Sequence, residues 1–313
     1  VLFTVAVGFH AVSHSHFRID DYAHFAQSER MPLLEFVRTP IDVHFAPLHR
    51  LVTAMLHQYF ATQFPVAVAL LVALQIGTLW IVDRLLERIG PSRWNGWLLV
   101  IFAANVYGVV LVSYWTSGLH RIPFIAASAT CFYGYLRFRD EGRRRDQWLA
   151  LLACLVAMGF YSKAALLPPM LLAFELCLIR RPAAASVGRR AATFVGFAAL
   201  LSLYPVAYWF HPLGFEPLLP AFDELPSIFV HSFSVFAQSP FGIVATPQSP
   251  FPIAVGVVWA CAVVATVYRD RFNAVIWLIL VATMAANIAM IGLSQRAHDL
   301  GGLIAYQYRY QFE

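Results

Sequence analysis

The sequence predicts an all-α, polytopic helical membrane protein, with about nine to ten transmembrane or re-entrant helices and long non-cytoplasmic loops. Three observations carry that reading. The 313 residues are 60% hydrophobic and only 12% charged, with a mean hydropathy of +0.65. A soluble domain of this length could not cover its surface with so few charges. Apolar stretches of about 18–22 residues recur between short arginine clusters, the spacing of bilayer-spanning helices rather than the shorter alternating segments of a barrel. The basic residues are also placed asymmetrically. Of 22, three fall in 84–93, five in 137–145, four in 180–190 and two in 269–271, while ten of the 17 acids fall in 14–50, 212–250 and the tail from Ser294. The positive-inside rule assigns those four basic segments to the cytoplasm and the remaining loops to the other face.

In order along the chain, Val1 to Val12 reads as the outer part of a first helix, of a chain expected to be a fragment at both ends. Residues 14–50 form the first outer loop. Within it Tyr22, Phe25, Ala26 and the stretch from Glu29 to Phe36 have helical spacing, interrupted at Pro32, which suits a helix lying in the interface. Residues 51–83 exceed one span, and Phe64-Pro65 is expected to break them into a re-entrant or tilted helix and a full one. Residues 94–113 cross outward and Ser113 to Arg121 makes a short outer turn. Residues 122–136 return, 147–161 cross to Tyr161-Ser162-Lys163, and 165–179 come back, tilted little or broken near Pro168-Pro169. A helix opening at Arg189-Arg190 ends near His211. A second outer loop, 212–250, precedes helices at 251–268 and 272–293, and the tail from Ser294 is outside again. The whole of 1–313 reads as one transmembrane domain.

Several function classes lack support. The arginines sit at helix ends and form no continuous basic face, so nucleic acid is not an expected partner. No GxxxxGK[ST], GxGxxG or HExxH occurs, and there is no tandem repeat. Cys131, Cys154, Cys177 and Cys261 lie in apolar runs without paired spacing and read as small core residues.

The candidates for chemistry gather in the outer segments. Asp20 and Asp21 are adjacent, so in an extended segment or at a helix start they point in different directions. Either would satisfy free N–H groups as the N-cap of the helix near Tyr22, or serve as a general base toward an acceptor hydroxyl. His14, His16, His24, His44 and His49 make this loop histidine-rich, but their spacing matches no zinc frame. A magnesium or manganese ion shared between a carboxylate such as Asp20 and a substrate phosphate stays open. Lys163 is the only lysine beside 21 arginines. It reads either as a snorkelling interfacial lysine or, with Arg121, Arg296 or Arg309, as an anchor for a lipid phosphate. Asp223-Glu224 in the second outer loop would supply a further acid.

The order of these features resembles the GT-C class of integral-membrane glycosyltransferases, and within it the protein O-mannosyltransferase-like branch, including its group with tetratricopeptide repeats. The resembling features are the acidic pair in Ile19-Asp20-Asp21-Tyr22, the lead-in His44-Phe45-Ala46-Pro47-Leu48, the outer turn Val112-Ser113-Tyr114-Trp115-Thr116-Ser117-Gly118, and Ser162-Lys163-Ala164 with Pro168. They cover residues 1–180. Ala164 departs from the pattern, which has glutamate there, and residues 1–313 hold no repeat domain, the chain being expected to end before one. The resemblance implies a polyprenyl-phosphate-linked sugar as donor, an acceptor hydroxyl on a glycan, lipid or protein, and inverting transfer on the non-cytoplasmic face; the arginine bias and the outward-facing site suggest a bacterial plasma membrane, with the endoplasmic reticulum as the alternative. It implies Asp20 or Asp21 as base or metal ligand. Lys163, Arg121, His44, His49 and Arg309 would bind the substrate. The alternatives are a transporter or lipid flippase, for which Pro168-Pro169 is the best broken-helix candidate, and a non-catalytic membrane subunit of the same fold.

Overall fold

The protein was described from a computed structural model, in which residues 1–41, 44–60, 62–104, 111–177, 183–210, 223, 225–238, 252–269 and 272–292 are placed. Among these residues every element is helical, and the only β pairing is an isolated bridge between Ile41 and His44. The chain divides into two compact units. The first comprises residues 1–103, 108–168 and 182–213, and the second 104–107, 169–181 and 214–313.

In the first unit α1 (Leu2–His14) leads to two helices of the 14–50 segment, α2 (Ile19–Arg30) and α3 (Leu33–Arg38), separated at Pro32 as the sequence predicts. Acids in the first turn of α2 complement the free N–H groups there. Next come α4 (Pro47–Phe60) and α5 (Phe64–Ile89), broken where expected. Pro65 sits in the first turn of α5, where its missing N–H costs nothing. Thr62, between the two, adopts a left-handed φ of 58° that takes the chain through the turn. α6 spans Asn95–Ala103, and the rest of the 94–113 stretch lies in part outside the described residues.

One expectation is corrected here. Residues 115–121, read as an outer turn, belong to the 27-residue helix α7 (Trp115–Glu141). Ser, Gly, His, Arg and Pro123 make this stretch look like a connection, yet tertiary packing keeps it helical. Leu119, Ile122 and Trp115 are all buried, and Thr78 Oγ1 of α5 donates to the Ile122 carbonyl at 3.4 Å. α7 packs along α8 (Arg144–Phe160) through small residues: Cys131, Ala150, Cys154 and Ala157 are fully buried. A Cβ on Gly134 would lie 3.0 Å from the Ala150 nitrogen. Small residues let two helix backbones approach closely. The turn between them uses Gly142 at φ 69°, whose N–H closes on the Phe138 carbonyl at 2.8 Å. A charge network joins this end to α5: Arg88 meets Asp140 at 3.1 Å and Glu141 at 3.4 Å, and Arg137 meets Glu141 at 3.3 Å.

A 3₁₀ turn, Ser162–Leu166, follows α8 and runs into α9 (Leu167–Cys177). Pro168 and Pro169 sit in the first turn of α9, so they start a helix and break none. α10 (Val187–Leu201) and α11 (Leu203–Phe210) follow, with Ser186 capping α10. In the second unit α12 (Leu225–Gln238) packs on α13 (Pro252–Arg269) and α14 (Phe272–Gly292), which also pack on each other. The helix α12 corrects the reading of 212–250 as loop throughout; the other residues of that stretch, Asp223 excepted, lie outside the described residues.

Among the described residues, two segments are long and apolar enough to cross a membrane by length and composition, Phe64–Ile89 and Val187–Ala207. α7 has the length but is too polar to pass the same test.

Candidate functional site

The acidic pair opens α2, and its two members do different work. Asp21 is completely buried. Its carboxylate accepts the backbone N–H of Arg18 at 2.8 Å, half of a capping box, and both the N–H (2.9 Å) and the hydroxyl (2.5 Å) of Thr116 at the start of α7. Asp21 therefore ties the start of α2 to α7. Burial pushes its carboxyl above the ordinary range; the three hydrogen bonds oppose that push, and the charge of Asp20 adds to it. Asp20, one residue earlier, is exposed and accepts a hydrogen bond from the Tyr114 hydroxyl. The Arg18 guanidinium lies 4.8 Å over the Tyr114 ring. The adjacent acids thus separate as a helix start requires, one turned into the protein and one left at its surface.

Beneath the loop, Arg50 of α4 holds the connection from α3. Only 2% exposed, it donates to the carbonyls of Thr39 (3.2 Å) and Pro40 (2.9 Å) and to Gln27 Oε1 (2.7 Å), and it packs 4.6 Å over Phe36. A planar guanidinium with five donors suits a crossing of several carbonyls better than any other side chain. It fixes α4 beside α2, and so places His49.

His49 is fully buried, and its Nε2 meets the Thr116 carbonyl at 3.3 Å. Burial first, then the neighbouring His24 and Arg50, hold it well below the ordinary histidine range, so the ring is neutral. Its Nε2 then donates to Thr116, leaving Nδ1 as a buried acceptor with no hydrogen-bond partner. The ring of His120, one helical turn after Thr116 on α7, lies 4.0 Å from that of His49 and 5.6 Å from that of Tyr161. His120 Nε2 is likewise buried without a partner. His44 lies 4.9 Å from the Tyr161 ring and shares a 2.6 Å hydrogen bond between its Nδ1 and Ser162 Oγ.

Tyr161 is the hub of this cluster. Lys163 Nζ lies 5.7 Å from its ring, a distance at which cation and π face still attract. Lys163 is only 8% exposed and Arg121 only 5%. The lysine is thus not a snorkelling interfacial residue. Burial, reinforced by the charge of Arg121, lowers its ammonium well below the ordinary lysine range.

Of the predicted residues, the structure packs His44, His49, Arg121 and Lys163 around His120 and Tyr161 and joins Asp21 to that group through Thr116, with Asp20 one residue away on Tyr114; all lie within the first unit. Arg309, Arg296 and Glu224 lie outside the described residues, and Asp223 is an exposed turn residue. Sequence reasoning missed His120, Tyr114 and Arg50. For His120 a signal existed, because Thr116 and His120 are four apart and share a face once 115–121 is read as helix. Asp20, expected as a metal ligand, is engaged with Tyr114. Among the described residues no group of three or more His, Cys, Asp or Glu is arranged to hold a metal ion. The residues present do not build a metal site around Asp20 by themselves.

No known protein family, curated protein or solved structure matches the chain.

Proposed function

We propose that the chain is a polytopic membrane glycosyltransferase of the GT-C type, moving a sugar from a polyprenyl-phosphate donor to an acceptor hydroxyl at the non-cytoplasmic face. The observation that carries this reading is the joining, through Thr116, of the acidic pair that opens α2 to a buried group made of Arg121, Lys163, His49, His120 and the partly buried His44, drawn from α4 and the segment before it, from α7 and from the turn after α8. Acidic and basic side chains from four separate stretches converge there.

Asp20 is the base of the pair, because its carboxylate is reachable while that of Asp21 is spent on three donors. It takes the acceptor proton as the hydroxyl oxygen attacks the anomeric carbon and the bond to the lipid phosphate breaks, which inverts that carbon. Arg121 and Lys163 hold the departing phosphate, whose charge needs donors in a water-poor site. A phosphate ester leaves without protonation, so one carboxylate suffices where a glycosidase uses two. Exposed apolar side chains on α1, α6 and α13, and exposed Trp80, Trp94, Trp97 and Trp148 near the arginine-rich ends, support a bilayer setting, with the site facing the periplasm or exterior of a bacterial plasma membrane.

The full chain in liposomes, given radiolabelled sugars on polyprenyl phosphates, is expected to transfer at least one to an added acceptor. Folded protein that transfers from none of a broad donor panel contradicts the reading. One observation favours a second reading, a non-catalytic subunit of the same fold. Ala164, completely buried, stands where the resembling family has glutamate. Substitution Ala164→Glu would then gain no transfer.

A further inference from the structure

Resting on the bilayer reading, we infer that the turn end of the α7–α8 hairpin binds an anionic phospholipid, its phosphate held by Arg144 and Arg145 and an acyl chain lying along α8. The first observation is how the charges at this end are used. Asp140 meets Arg88 at 3.1 Å and Arg139 at 3.2 Å, and Glu141 meets Arg88 at 3.4 Å, Arg137 at 3.3 Å and Arg143 at 3.1 Å. Asp146 faces Arg137 at 3.7 Å. The acids nearest the turn are thus taken by other arginines. Arg144 and Arg145 are exposed and enter no ion pair among the described residues. Arg189 of α10 adds a further positive charge beside the same turn, where its Nη1 donates to the Gly142 carbonyl at 2.7 Å.

The second observation is the open side of α8. One side, with Ala150, Cys154 and Ala157, is buried against α7. A second faces α10, where Gln147 Nε2 donates to Thr193 Oγ1 at 3.0 Å and Leu151 packs on Gly196. On the third, Trp148, Leu149, Leu152, Leu155 and Val156 are 37–62% exposed. These positions continue, at helical spacing, the stripe that starts with Arg144 and Arg145. Arginines, then tryptophan, then aliphatic side chains match the order of phosphate, interface and acyl chain in a lipid. Guanidinium groups suit phosphate oxygens, and charge complementarity selects the headgroup, because a zwitterionic one carries an ammonium that the arginines repel. Each arginine near a bilayer surface favours anionic lipid by roughly fivefold.

The test uses the full chain in phosphatidylcholine vesicles containing increasing fractions of a lipid brominated on its acyl chains, either phosphatidylglycerol or phosphatidylcholine. Bromine quenches tryptophan on contact, and the difference between wild type and Trp148→Phe isolates the signal of Trp148. Brominated phosphatidylglycerol should quench that signal with at least a fivefold higher relative binding constant than brominated phosphatidylcholine. The preference should fall close to one in Arg144→Gln/Arg145→Gln, measured against the same variant carrying Trp148→Phe, and should shrink in the wild type at high salt. Equal quenching by the two lipids overturns the proposal and leaves the bilayer reading standing. An undiminished preference in the folded double variant also overturns it, by placing the selectivity at other residues. Quenching of Trp148 by neither lipid shows that α8 meets no acyl chain, and the bilayer reading of this helix then falls together with the inference.

Discussion

At the scale of residues, adjacency hides a division of labour. Asp20 and Asp21 are the same residue type, one position apart, yet one is a surface carboxylate and the other a buried clamp. Sequence alone identifies the pair and predicts that its members diverge. Which one turns inward depends on Thr116, 95 positions away. The same limit applies to Lys163. Its rarity draws attention, but only packing distinguishes a snorkelling lysine from a buried one. His49 yields a prediction at this scale. Its folded value lies below the ordinary 6.5 of an unfolded histidine, so its neutral form favours the native state above that pH. That contribution is lost as pH falls from 6.5 through the folded value, because the unfolded chain binds a proton that the native one refuses. The slope reaches at most about 1.4 kcal/mol per pH unit. Thermal unfolding in detergent should show a falling midpoint below pH 6.5 in the wild type. The fall should be shallower in His49→Gln, whose amide still donates to the Thr116 carbonyl. Equal slopes would remove His49 as the sensor. His24, His44 and Arg50, which face the ring, are unchanged in that comparison.

At the scale of elements, the apolar periodicity made most helices legible, including the breaks at Pro32 and Phe64-Pro65. What it could not show is a helix whose first two turns are polar. Trp115 to Arg121 has the composition of a loop and becomes helical because α5 and the preceding segment close around it. Gly118 is where that closure is tightest. A Cβ there would lie 2.2 Å from the Leu111 carbonyl oxygen, a backbone atom that no rotamer change can remove, and 3.0 Å from a Leu71 methyl. Gly118→Ala should therefore cost stability, by roughly 1–3 kcal/mol, even though alanine is the better helix former. It should weaken prenyl-phosphate binding as well, because the same turn carries Thr116, His120 and Arg121. A melting temperature and affinity equal to wild type would show that the Leu111 segment yields freely. α12 teaches the same lesson from the other side. Pro and Phe in 212–250 suggested a loop, while Leu225–Gln238 has enough apolar residues to pack on α13 and α14.

At the scale of the molecule, composition establishes a helical protein rich in apolar surface, and the structure agrees in being helical throughout its described residues. The convergence of the site was not legible. Its partners lie 67 to 118 positions apart, at Thr116 with His49 and Ser162 with His44, and no local pattern encodes such pairings. The central claim is that Asp20 acts on the acceptor while Asp21 holds the fold. It is tested most directly by measuring sugar transfer and melting temperature together for wild type, Asp20→Asn and Asp21→Asn in the same liposome preparation. The account predicts that Asp20→Asn keeps the wild-type melting temperature and loses transfer by roughly 10²- to 10⁴-fold, the contribution of a general base. Asp21→Asn should melt earlier, since donors at Arg18 and Thr116 are left poorly matched. Full transfer by a stably folded Asp20→Asn would contradict it.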